Sequence, residues 1–182
     1  VAREITTGSD VTDGRHLPHE NRADRLTTVV QQDRNATPSS ARSARVSGSG
    51  RYVVFVSSVQ LVEGERNHLG NVYVLDLATG ECTLESVGPD GLPGNGASLS
   101  PDISRDGRYV VFESAAGNLL DTQMLPGIFH VFLRDRETGV TRLLSANANG
   151  EPANGTSGSS AISADGTVVV FESAATDLVE AG

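Results

Sequence analysis

The sequence predicts an all-β fold made of repeated units, each of four antiparallel strands. A tract of the form Ser-x-x-Gly-Arg-Tyr-Val-Val-Phe occurs three times, ending at Phe55, Phe112 and Phe171; the third copy reads Ser163-Ala164-Asp165-Gly166-Thr167-Val168-Val169-Val170-Phe171. The phenylalanines fall 57 and then 59 residues apart, and self-similarity at such a spacing marks a repeat architecture. Tyr109-Val110-Val111-Phe112 is apolar at consecutive positions, so both faces of that strand are expected to be covered. The composition is rich in Gly, Ser, Val and Thr and contains no Trp, which suits strands joined by tight turns.

The middle repeat gives the plan. A first strand over Ser98–Ser104 ends at Arg105-Asp106-Gly107, where Asp-Gly supplies the positive φ of a tight hairpin, and Tyr109–Ser114 returns. A longer loop, Ala115–Phe129, precedes a third strand over His130–Asp135; Glu137-Thr138-Gly139 turns the chain into a fourth over Thr141–Ser145. The preceding repeat matches it, with Asn71–Asp76 as third strand, Ala78-Thr79-Gly80 as turn and Thr83–Val87 as fourth. Four antiparallel strands covered on both faces by neighbouring units make a β-propeller blade.

The same residues carry a family resemblance. Ile103-Ser104-Arg105-Asp106-Gly107-Arg108-Tyr109-Val110-Val111-Phe112 followed by Val131-Phe132-Leu133-Arg134-Asp135 resembles the TolB-like, WD-repeat-like β-propeller repeats of bacteria, over about Val29 to Leu178. The resemblance implies a propeller, often periplasmic or secreted, whose usual role is to bind other macromolecules.

The ends are out of phase with the blades. Val1–Gly8 aligns with Phe132–Gly139 as a third strand and its turn, and Arg25–Val30 follows as a fourth. At the other end Phe171-Glu172-Ser173 completes a second strand before Gly182. The expected division is therefore 1–43, the last two strands of a split blade with an insertion at 9–24; 44–97 and 98–157, complete blades; and 158–182, the first two strands of a split blade. Three blades fall below the usual four to eight, since each would turn the ring by about 120°. Two alternatives follow: two copies form a ring of about six blades with shared seam blades, or the chain is a piece of a longer or nicked propeller.

Composition excludes several functions. The net charge of −9 argues against a nucleic-acid surface. No apolar run approaches the roughly 18 residues that span a bilayer. All 14 basic residues are Arg, which removes lysine-nucleophile and Schiff-base chemistry. The single Cys82 excludes a disulfide within one chain. The chain begins at Val1, so its ends leave the compartment open.

Candidate sites are few. The 9–24 insertion holds His16-Leu17-Pro18-His19-Glu20, two imidazoles three apart beside a carboxylate. Pro18 prevents them from sharing a regular helix face, so a solvated loop is the simpler expectation; His16, His19 and Glu20 are nevertheless the first place to look for a metal. Relatives of the resemblance carry a calcium-like D-x-N-x-x-x-D loop after the second strand. This chain departs from it with Glu63-Gly64-Glu65-Arg66-Asn67-His68, with Asp121-Thr122-Gln123-Met124-Leu125-Pro126 and with Asp177-Leu178-Val179-Glu180, so calcium is not expected there. Asp106 and Asp165 are equivalent carboxylates, but their place before Gly makes them turn residues, with Ser49 at the same position in the first copy. His68 and His130 occupy non-equivalent positions, and no Gly-x-Ser-x-Gly elbow is present.

The expected function is a non-catalytic binding or assembly module, with no cofactor. Its expected partners are another copy of itself or the rest of a longer propeller, and a protein or glycan ligand. The alternative is a metal-dependent polysaccharide lyase-like or other TolB-like propeller enzyme, which needs several histidines at one channel mouth.

Overall fold

The computed structural model of the protein describes residues 41–62, 68–122, 124 and 127–178. The expected N-terminal half-blade and its insertion at 9–24 lie outside the described residues. Among the described residues every regular element is a strand. The first four are β1 (Ala41–Val46), β2 (Tyr52–Ser57), β3 (Asn71–Asp76) and β4 (Cys82–Leu84), paired in that order in one antiparallel sheet. A second sheet repeats the plan with β5 (Ser98–Ile103), β6 (Tyr109–Ser114), β7 (His130–Asp135) and β8 (Val140–Leu143). The last two, β9 (Ser157–Ile162) and β10 (Val169–Ser173), form a two-stranded sheet. Among the described residues the sheets do not close into a ring.

The registers are equivalent. Tyr52 faces Asp76 and Phe55 faces Tyr73 in the first blade, as Tyr109 faces Asp135 and Phe112 faces Phe132 in the second. In these two blades the continuous apolar runs are buried on both faces, as expected. Val54, Val56, Val72 and Val74 look toward the second blade and share one core with Ile103, Val110, Phe112, Phe132 and Leu119. The alternate positions, Val53, Phe55, Tyr73 and Leu75, form a second cluster on the opposite face. Burying one such Val or Phe side chain stabilises the fold by about 1.5–3 kcal/mol.

The outer strands are shorter than their sequences suggest. They are predicted to run to Val87 and Ser145 but end at Leu84 and Leu143. A serine hydroxyl ends each ladder. Val72 N–H donates to Ser86 Oγ at 3.0 Å and Val131 N–H donates to Ser145 Oγ at 3.0 Å, so a side chain takes the place of the next strand carbonyl. Both serines are fully buried, and the chain can leave the sheet without orphaning an amide.

Successive blades touch through repeated contacts. Ser98 N–H donates to Gly70 O at 2.7 Å, and Ser157 N–H donates to Phe129 O at 2.8 Å, at the entry of each inner strand. At the tract turns, Ser49 N–H reaches Arg105 O at 2.9 Å and Arg105 N–H reaches Ala164 O at 2.8 Å. The Tyr52 ring lies against Gly107 of the next turn, and the Tyr109 ring against Gly166.

Gly107 is thus held twice, by its φ of 79° and by the ring above it; Gly91 has a φ of 78° and open space around it. Both alanine substitutions carry the left-handed penalty of about 1–2 kcal/mol. Gly107→Ala also drives a methyl into the Tyr52 ring. It should lose at least about 1 kcal/mol more than Gly91→Ala, as measured by urea unfolding.

Candidate functional site

The tract turns account for the carboxylates that recur in the sequence. Ser104 Oγ donates to Asp106 Oδ1 at 2.6 Å, Arg108 N–H donates to the same oxygen at 3.0 Å, and Tyr109 N–H donates back to Ser104 Oγ at 3.0 Å. Ser163, Asp165, Thr167 and Val168 repeat this arrangement at 2.6, 3.1 and 2.9 Å. In the first copy Ser49 takes the place of the aspartate, 3.0 Å from Ser47 Oγ. The hydroxyl of Ser104 and the amide of Arg108 hold the Asp106 carboxyl below its ordinary range; Ser163 and Thr167 hold Asp165 at about 2. These are ionised hydrogen-bond acceptors that fix a turn, as the sequence implied.

A second conserved pattern within the chain ties each tract to the third strand of its own blade. Arg51 grips Asp76 through Nε at 3.1 Å and Nη2 at 2.7 Å, and Arg108 grips Asp135 through Nε at 3.0 Å and Nη2 at 2.8 Å. These bidentate guanidinium contacts hold both carboxyls at about 2. The third tract carries Thr167 where the others carry Arg.

The metal candidates fare differently. His16, His19 and Glu20 lie outside the described residues, as do Glu63 to Asn67. His68 and Asp121 are exposed loop residues. Asp177 is occupied: its Oδ1 accepts Asn154 N–H at 2.9 Å, while Asn154 Oδ1 accepts Thr176 N–H at 2.9 Å. Asn118 and Asn95 make the same reciprocal clasp one blade earlier, at 2.8 and 2.7 Å. His130 starts β7 as expected, is buried, and has Nδ1 3.3 Å from Ser145 Oγ. Burial pushes its imidazole down from the ordinary value, toward the neutral form. Cys82 is a half-buried member of the second apolar cluster. Among the described residues no three His, Cys, Asp or Glu side chains are grouped to hold a metal ion.

What sequence reasoning missed lies on the inner strands. Ser43, Ser100 and Ser159 have φ of 54°, 47° and 52°, and each sits at a bulge. Left-handed non-glycine residues are uncommon, and three at equivalent positions make this bend a property of the repeat. The three line one groove of about 580 Å³ with Arg45 and Asp102. The signal was present in the sequence as a serine four residues before each tract serine, at Ser43–Ser47, Ser100–Ser104 and Ser159–Ser163.

The bend presents amides that a neighbouring blade takes up. Glu113 Oε1 accepts Ser159 N–H at 2.8 Å, and Asp102 Oδ2 accepts Ile162 N–H at 3.0 Å. Two carboxylates of the second blade thereby hold the inner strand of the next. Gly158 lies so close to the Glu113 carboxylate that a Cβ there would be 3.0 Å from it. Carboxylates committed to backbone amides act as strand holders rather than as proton-transfer groups.

One further ionic contact joins the first two blades. Arg136 donates through Nε to Glu85 Oε1 at 2.8 Å, through Nη1 to Gly107 O at 2.7 Å and through Nη2 to Thr83 Oγ1 at 3.2 Å. Its guanidinium also stands 5.1 Å from the Tyr52 ring centroid. Arg134 Nε lies 3.8 Å from the other Glu85 oxygen, an ion pair without a hydrogen bond. Burial lowers the Arg134 pKa from its ordinary value, against the attraction of Glu85. Glu85, 5% exposed, is the carboxylate shared by both guanidiniums.

No protein-family model and no curated protein matches the chain. Solved structures do. TolB from Acinetobacter baumannii is similar over 73% of this chain and 26% of its own, at 19% identity and a TM-score of 0.43. The dihydro-heme d1 dehydrogenase NirN is similar over 71% of this chain and 22% of its own, at 20% identity and a TM-score of 0.42. Hydrazine synthase from Kuenenia stuttgartiensis is similar over 70% of this chain and 35% of its own, at 16% identity and a TM-score of 0.38. The chain spans between about a fifth and just over a third of the length of these three structures. The blade architecture stands on this chain's own strand pairing.

Two outcomes follow from this geometry. Asp76 and Asp135 titrate at about 2 in the folded chain, below the ordinary 3.8. Their contribution to stability is therefore complete above about pH 4 and is lost as pH falls through about 2. Urea unfolding of Asp76→Asn and Asp135→Asn should show a flatter decline across that window than the parent chain. Glu85→Ala leaves two largely buried guanidiniums without their carboxylate and should destabilise by about 3 kcal/mol. Glu137→Gln, at a side chain 68% exposed, should cost under about 1 kcal/mol in the same assay.

Proposed function

We propose that this chain is a non-catalytic propeller module that works by holding other macromolecules, and that its half-blade is completed by strands from another chain. One observation carries the reading. Val170 is 60% exposed on β10, whereas Val54 and Val111, at the same tract position, are fully buried. The strand therefore keeps the apolar pattern of a blade interior, with no further blade beside it among the described residues. The carbonyls of Arg51 in the first tract and Arg108 in the second each accept the amide just past the third strand, from Leu77 and Arg136, at 2.8 and 2.9 Å. Thr167 stands at that position on the half-blade.

Addition of an extended segment to such an edge is an established mode of protein recognition, in which backbone hydrogen bonds provide affinity and side-chain pockets provide choice. A protein strand meets the demand of the β10 edge directly; a glycan ligand suits the polar inner-strand groove. Seven of the described carboxylates, Asp76, Asp102, Asp106, Glu113, Asp135, Asp165 and Asp177, are engaged by structural hydrogen bonds, which supports a non-catalytic role for them. The net charge of −9 disfavours a nucleic-acid partner. A periplasmic or extracellular setting follows the tract resemblance, and no helix among the described residues is long and apolar enough to cross a membrane.

Native mass spectrometry of the full 182-residue chain tests the assembly reading. Species of at least twice 19.0 kDa are expected. A soluble, non-aggregating population made up only of single chains would overturn it.

A further inference from the structure

Among the described residues the half-blade has a second unpartnered surface besides its edge: the face that looks away from the second blade. Its occupant can be read from the two blade interfaces inside the chain, because they are built from equivalent residues. In the first interface Val54 is buried against a core containing Ile103, and the Tyr52 ring covers Gly107. In the second, Val111 is buried, the Tyr109 ring covers Gly166, and Glu113 accepts the inner-strand amide of Ser159. The equivalent residues on the half-blade are Val170, Val168 and Glu172. Val168 and Val170 are 54% and 60% exposed, and Glu172 is also exposed.

At the opposite end of the described chain, β1 exposes the inner-strand part of the complementary half, while Val53, Phe55 and Tyr73 behind it are already buried. Val46 occupies the position of Ile103 and is 63% exposed where Ile103 is 6% exposed. Ser43 occupies the position of Ser159, with a φ of 54° against 52°, so its amide is aimed by the same bend. Gly50, with a φ of 70°, occupies the position of Gly107.

We propose that the outward face of the half-blade is the docking site for a second copy of this chain, which presents β1 and the tract turn of its first blade. The proposal rests on the assembly reading above and names its partner. Val170 packs on the second copy's Val46, Val168 covers its Gly50 turn, and Glu172 accepts its Ser43 amide. The contact is head-to-tail, continues the interface already repeated within the chain, and leaves the pair with one free half of each kind, one on each copy. Such contacts produce closed rings or filaments according to the rotation between copies.

Chain mixing tests the contact. Val46→Asp spoils only the head and Val170→Asp only the tail, and both positions are exposed in the single chain, where substitutions of this kind leave folding intact. Each variant alone should run as a single chain of 19.0 kDa, with association weakened at least about tenfold. Mixed together, they retain one intact head and one intact tail and should form a two-chain species. Circular dichroism checks the fold of each variant; Val46→Ser and Val170→Ser, which should give the same pattern in weaker form, replace any that misfolds. If the parent assembles and the single variants still assemble, or their mixture stays monomeric, the docking proposal falls while the assembly reading stands. If the parent itself is monomeric, both fall.

Discussion

The packing of one blade's apolar face on the next is the constraint on which the rest of the structure depends. Val54, Val56, Val72 and Val74 are excluded from water only because Ile103, Phe112 and Phe132 stand opposite them. A four-stranded sheet with apolar residues on both faces is unstable alone, since each exposed face forfeits the burial that offsets the ordering of its backbone. The repeated two-sided apolar runs of the first two blades are the consequence of building a core between units rather than within them.

Polar groups fix the spacing at which those faces meet. Ser104 with Asp106, and Ser163 with Asp165, close the turns that touch the neighbouring blade. Arg108 on Asp135 locks the second strand to the third, so the sheet arrives at the interface as a rigid layer. Glu113, Asp102 and Glu85 then reach across to amides or guanidiniums of an adjacent blade. The Arg136–Glu85 bridge has no counterpart in the equivalent first-blade positions, where Leu77 replaces Arg136. It adds specificity to one boundary of an otherwise repetitive stack.

Much of this organisation was legible in the residues. β3, β6 and β7 occupy the predicted spans, because their apolar runs and flanking turns leave little choice of register. The turn role of Asp106 and Asp165 was equally plain, since it depends only on contacts two residues away. The early ends of β4 and β8 were not visible, because they depend on the Ser86 and Ser145 hydroxyls reaching amides 14 residues distant. The burial of His130 was likewise not visible, because it depends on the pairing of β6 with β7 that sets it opposite Ser114.

By itself, the sequence determined the repeat, the strand order within a blade and the chemistry of each tight turn, all of which follow from local pattern and neighbouring residues. Only the tertiary structure decided which carboxylates hold a strand of another blade and which tract residues remain uncovered. Those properties depend on residues about 50 or 60 positions apart, such as Arg136 with Glu85 and Asp102 with Ile162. Val54, Val111 and Val170 make the distinction plain: the same side chain in the same tract is buried twice and exposed once, according to what lies beside it.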